Sequence, residues 1–304
     1  MLNSKIIGAL SAPTKTWSFS QKQSFGYWSD LSVSSDCSKM LLTQGSSTGG
    51  IYISSDFGDT WTTKYTGRYW GSVCGSSDHS MLLVNEDLAN KLFKSIDYGN
   101  TWTQIDSGRL WVGLDCSRDG TYVYGSANNI LYTSSDSGAT WTSRLTSTNA
   151  NWIIRCSGDG RVAIAFEGYF NGSNNLYITT DYGNTWTPRG PSKDWVSVGC
   201  NNSGSKMLAY ENSVSLYEST DSGTTWNLKT SGTPVYDMDI SASGGEVIAG
   251  ALNSVEGISR DFGSTWTNFT DLYSANVTRM LISDNADKVV IAYYGGPLYL
   301  GTYA

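Results

Sequence analysis

The chain has little of what catalytic and nucleic-acid sites are usually built from. It holds one histidine, His79, in 304 residues, so any Ser-His-Asp or Cys-His arrangement has a single candidate base. His79 falls in a turn between two strands, away from the expected cleft, and supports no such arrangement. Charged residues make up 15%, the net charge is −7 and no basic run occurs, which argues against nucleic acid as a partner. No apolar stretch approaches the roughly 18–20 residues that a membrane-spanning helix needs, so membrane insertion is not expected. The apolar patch Ile6 to Leu10 is too short for a signal peptide. An extracellular or virion-surface form would already have lost its leader, and a cytoplasmic location fits the sequence as well.

Cysteine is odd in number, five, and no CxxC pair is present, so neither a disulfide framework nor a zinc site is expected. No phosphate-binding glycine loop or metal-ligand cluster appears, and no cofactor is implied. Helix signatures are nearly absent. Short alternating apolar runs sit between Gly, Ser, Asn and Asp clusters, the pattern of an all-β chain.

What is abundant is repetition. Ser54-Ser55-Asp56-Phe57-Gly58-Asp59-Thr60-Trp61 has the frame Ser/Thr-x-Asp-x-Gly-x-Thr-Trp, and this frame returns five times. The tryptophans that close it, at 61, 102, 141, 186, 226 and 266, are 41, 39, 45, 40 and 40 residues apart. A period near 40 means one supersecondary unit per repeat, none able to bury its apolar faces alone. The aspartate can tie a turn by accepting backbone N–H groups just ahead of it. The glycine supplies a positive φ, and the tryptophan has the area to wedge between sheets.

This frame resembles the Asp-box, or BNR repeat, of the propellers of sialidases, sortilin-type receptors, xyloglucanases and the photosystem II assembly factor. The resemblance covers the whole chain and implies a β-propeller in which the box is a structural turn facing away from the ligand. It implies no sialidase activity, because the Arg-Ile-Pro motif of those enzymes is missing and the first arginine is Arg68. Xyloglucanases place two acids on two facing propellers, and this chain has one. The basic patch of the photosystem assembly factor is not evident in so acidic a chain.

Anchored on the boxes, each repeat reads as four strands. In the second, Trp70 to Gly75 is the inner strand, Met81 to Val84 and Lys91 to Ser95 follow, and Trp102 to Ile105 begins the outer one. Inner strands are expected from near Trp28, Trp70, Trp111, Trp152, Trp195, Tyr236 and Val277. The last unit lacks an outer strand, and Lys15 to Ser20 reads as an outer strand with nothing before it. The expectation is a seven-bladed propeller in one domain, 1–304, its ring closed by the N-terminal strand. Cys74, Cys116, Cys156 and Cys200 share one inner-strand position with Val33, Ile240 and Ile282, which marks a small apolar site near the axis. Cys37 lies in a turn where partial exposure is expected.

Candidate chemistry lies on the face opposite the boxes. An aromatic series, Trp28, Trp70, Trp111, Trp152, Trp195 and Tyr236, stands at the entries to the inner strands, with Arg68 and Arg109 beside two of its members. Such a rim can stack on sugar faces and bind a glycan or glycoconjugate at several weak sites, the function of a lectin-like or surface-attachment module. Alternatively the rings pack between blades. Measured from the shared Cys/Val/Ile position, the spacing is five residues in some strands and four in others, so the rings project alike only if bulges intervene. Glu86, Asp87, Glu167, Asp194, Glu211 and Asp237 are the carboxylates near this face. Glu167 and Glu211, at equivalent strand ends in adjacent repeats, are the candidates for a glycoside-cleaving pair. A third reading is a protein-binding scaffold or virion-surface component.

Overall fold

The structure, a computed structural model, describes residues 16–147, 151–168, 174–212, 215–231, 237–250, 257–269, 272 and 276–304. Apart from one short 3₁₀ turn at Asp87–Ala89, its regular elements are antiparallel strands. The second repeat follows the expected order: Trp70–Gly75, Leu82–Glu86, Lys91–Ser95 and Thr103–Ser107 form one four-stranded sheet. The second strand of a repeat is buried on both faces, as in Val123–Ala127, whereas the outer strands carry exposed residues. Neighbouring sheets sandwich these second strands, which is why Ala163–Glu167 and Leu82–Glu86 read as largely continuous rather than alternating apolar runs.

The blade count corrects the sequence reading. The described strands form six sheets, not seven: five of four strands and one of six. The units expected at the two ends of the chain are a single sheet, because two long elements run through both. Trp17–Val33 pairs through its first part with the C-terminal strand, from Trp17 opposite Tyr303 to Tyr27 opposite Tyr294. Through its second part it pairs with Met40–Gln44. Lys288–Tyr303 likewise pairs with both Val277–Ile282 and Trp17–Val33. Repeat counting detects units, whereas a sheet is defined by unbroken hydrogen bonding, and here it does not break. The wide blade folds over on itself, packing Trp28, Leu31, Met40 and Leu42 against Val290, Ala292, Leu298 and Leu300.

The chain ends close the ring as expected, with Thr16 and Ala304 exchanging both backbone bonds. A second series of backbone bonds runs around most of the axis on the box face. Backbone N–H groups of Ser35, Ser77, Arg118, Gly158 and Asn202 donate to the carbonyls of Ser77, Arg118, Gly158, Asn202 and Ala242, and Asp284 donates back to Ser35. The wide blade supplies two of these turns, and Arg118 and Asp284 pair across the opening. No helix among the described residues is long and apolar enough to cross a membrane.

Candidate binding funnel at the ring axis

The boxes are occupied by their own turns. Ser54 Oγ donates to Asp56 Oδ1 at 2.8 Å and accepts the Gly58 N–H at 2.9 Å. Asp56 in turn accepts the Thr60 N–H and hydroxyl at 2.9 and 2.6 Å. The bonds from Thr60 and Ser54 hold the Asp56 carboxyl down at about 2. Besides the glycine, the residue before it is left-handed, with φ 59° at Phe57 and 60° at Tyr98. In every box but that of Trp141 the tryptophan donates to the box glycine carbonyl, as Trp61 Nε1 does to Gly58 at 2.8 Å.

The aromatic series is packed. Trp28, Trp70, Trp111, Trp152 and Trp195 are only 1–4% exposed, and Tyr236 lies outside the described residues. Each indole meets a ring from the third strand of its own repeat: Tyr52, Phe93, Tyr132, Tyr177 and Tyr217, with centroids 5.3–5.6 Å apart. Bulges reconcile the spacing in four of the five described strands. The exception is Trp70, whose spacing is four and whose register also shifts, whereas that of Trp152 does not. Where the spacing is five, the register shifts once, between Trp28 and Asp30, at Trp111, and between Trp195 and Ser197. Of the two readings of these rings, the geometry matches packing between blades, not an open stacking rim. Four indole nitrogens donate to an acceptor, while that of Trp195 has none among the described residues.

Of the remaining candidates, Arg68, Arg109 and Glu211 are paired. Arg68 Nη1 lies 3.0 Å from Glu86 Oε2, and Arg109 Nη1 lies 3.1 Å from Asp106 Oδ1 with its guanidinium over Tyr132. Glu167 and Glu211 stand opposite Trp152 and Trp195 on separate blades. Glu211 faces Lys193 at 3.4 Å. Neither glutamate lines the axial cavity. Cys37 corrects its expectation: its turn, with φ 60°, folds inward and buries the thiol completely. All five thiols are free, and burial pushes those of Cys37, Cys156 and Cys200 up. His79 is buried with Nε2 3.1 Å from Ser32 Oγ, and burial lowers it to about 4.

The structure assembles instead a funnel of about 730 Å³ on the loop face, centred on the ring axis. Its lip is aliphatic: Leu88, Leu110, Val112 and Ile153 are 75, 41, 38 and 36% exposed. Trp152, Trp195 and Phe166 line it, and Asp30, Arg155, Asp237 and Arg279 form its floor. Beneath the floor, Asp115 and Asp239 line a smaller cavity of about 210 Å³ that opens on the box face.

The aspartates cover the free inner edges of neighbouring blades, whose N–H groups have no strand beside them. Asp30 Oδ2 accepts from Val73 N at 3.0 Å, and Asp115 Oδ2 from Cys156 N at 2.7 Å. Asp237 and Asp239 accept from Met280 N and Ile282 N at 2.8 and 3.0 Å. Leaving one such donor buried and unpaired costs about 1–3 kcal/mol. Two arginines share the remaining acceptors. Arg279 reaches Asp30 at 3.3 Å and Asp237 at 3.4 Å, and Arg155 reaches Asp237 at 3.7 Å. Burial raises all four carboxyls, to about 7 for Asp237 and about 6 for Asp239. For Arg155 burial opposes the charge, but Asp237 and Asp115 outweigh it.

Of these six residues the sequence reading had named only Asp237. The signal was present: Asp115, Arg155 and Asp239 lie one residue before the shared Cys/Val/Ile position, and Asp30, Asp237 and Arg279 three before. A charge inside an otherwise apolar inner strand, repeated at fixed offsets, marks an axial column. Among the described residues no group of three or more His, Cys, Asp or Glu side chains could hold a metal ion.

No family model and no curated protein matches the sequence. Solved structures do resemble the fold. YCF48 from Cyanidioschyzon merolae superposes with a TM-score of 0.71 at 14% identity, over 93% of this chain and 98% of its own. A structure described as YCF48 bound to D1 peptide gives a TM-score of 0.72 at 17% identity, over 95% and 96%. At such identity the likeness is one of fold.

Proposed function

We propose that the chain is a non-catalytic recognition propeller that takes a segment of a partner protein into the axial funnel. The lip carries this reading. Single exposed aliphatics need no explanation, but four around one opening form a surface whose burial a partner would favour. A concave apolar opening with a few charged groups at its base suits a peptide, which offers both kinds of contact. That a similar fold has been solved with a bound D1 peptide supports a peptide as the class of occupant. A glycan rim is less well supported, since the indole faces that would stack on sugar are covered by Tyr52, Phe93, Tyr132, Tyr177 and Tyr217. A glycosidase reading lacks support as well, because Glu167 and Glu211 share no cleft with the funnel.

The test is selection from a random dodecamer peptide library on the immobilised protein, with a Leu110→Asp/Val112→Asp variant as counter-target. Both positions are exposed, so the variant should fold. Peptides that bind the parent and lose at least about 10-fold on the variant are expected. No enrichment, or enrichment indifferent to the charged lip, would overturn the reading, and a glycan-array signal in its place would favour sugar.

A further inference from the structure

We infer that the segment entering the funnel presents a lysine or arginine between apolar residues, and that the axial column of acids receives its charge. This rests on the peptide reading above and specifies the occupant's chemistry. The argument is one of charge complementarity at a defined depth. Above lies the aliphatic lip, which calls for apolar neighbours on the ligand. Below lies a column of four carboxylates, Asp30, Asp115, Asp237 and Asp239, and two guanidiniums, Arg155 and Arg279. Fully ionised, that column carries two negative charges in excess.

The excess is not distributed evenly. Asp30 accepts three close bonds, from Val73 N, Leu31 N and Ser72 Oγ, besides its arginine. Asp237 has one close bond, to Met280 N, and its Oδ1 has only the two long arginine contacts of 3.4 and 3.7 Å. That oxygen belongs to a residue lining the funnel floor, where an arriving ammonium or guanidinium could pair with it. The groups around Asp237 are Arg155, Arg279, Asp30, Asp239 and Asp115. Burial, with smaller contributions from Asp239 and Asp30 and against the pull of Arg155 and the Met280 N–H, leaves it holding its proton up to about pH 7. A basic side chain pairing with Oδ1 would stabilise the ionised carboxylate and displace that proton.

Two measurements decide the matter. Among dodecamers that bind the parent and fail on the charged-lip variant, lysine or arginine flanked by apolar residues should be over-represented. Lip-dependent peptides without basic residues, or with acidic ones, would overturn this inference while leaving the peptide reading intact; an empty selection would remove both. The strongest basic dodecamer is then titrated calorimetrically against the parent and Asp237→Asn. The substitution keeps the side chain's size and an acceptor for Met280 N. Affinity should fall about 10-fold or more. At neutral pH the parent should release protons on binding, seen as a heat that differs between phosphate and Tris buffers. Unchanged affinity in the variant, or a buffer-independent heat in the parent, would refute the assignment of Asp237.

Discussion

Asp237→Asn should make the protein more stable at alkaline pH, although it deletes a residue that touches two arginines. Burial raises this carboxyl from 3.8 to about 7, so the folded state keeps a proton that the unfolded chain gives up. The stability contributed by that proton is complete below about 3.8 and is lost as pH rises through 7. One pK unit is worth about 1.4 kcal/mol, so the whole effect is on the order of 4 kcal/mol. The part lost between about pH 5 and about pH 8.5 is about 3 kcal/mol. Asparagine resembles the protonated acid: it cannot ionise, and its Oδ1 can still accept the Met280 N–H that Asp237 holds at 2.8 Å. Urea unfolding of both proteins at the two pH values gives the difference directly. The parent should lose about 3 kcal/mol more than the variant over this range. Asp239, raised to about 6, and His79, lowered to about 4, titrate with opposite signs but are present in both proteins. Equal pH slopes for parent and variant would refute the claim that Asp237 ionises at a cost to folding.

Trp111→Ala should destabilise the protein by about 3–5 kcal/mol in denaturant, because the indole is 1% exposed and packs 4.4 Å from the Trp141 ring. A loss below about 1 kcal/mol would return the indole to the candidates for a ligand surface. Ser134→Ala should cost about 1–3 kcal/mol, since its Oγ is the acceptor for the buried Gly138 N–H at 2.8 Å and a donor to Asp136 at 2.7 Å. A neutral effect would show that the box serine is dispensable to its turn.

What lies nearest in the chain was the most legible. The box turns, the hairpins and the four-strand rhythm depend on local chemistry: an aspartate five residues before a tryptophan, a glycine where φ must be positive. Trp70–Gly75 and Lys91–Ser95 fall where the sequence places them, and the pairing of the two chain ends follows from an outer strand missing at one end and present at the other. The reading of the aromatic series shows the limit. The same tryptophan spacing fits an open rim or a packed seam, and only the meeting of each indole with a ring of the third strand, a contact the spacing does not show, decides which.

The sequence by itself determined that the chain is a ring of antiparallel blades built from one repeated turn, because each repeat carries its own turn chemistry and its own apolar faces. Tertiary structure decided the rest: that the end units share one sheet, that the indoles are buried, and that six charges scattered from Asp30 to Arg279 meet at one axis. Axial convergence relates Asp30 to Arg279 and sheet continuity relates Trp17 to Tyr303, and no local pattern encodes such distances until the ring has closed.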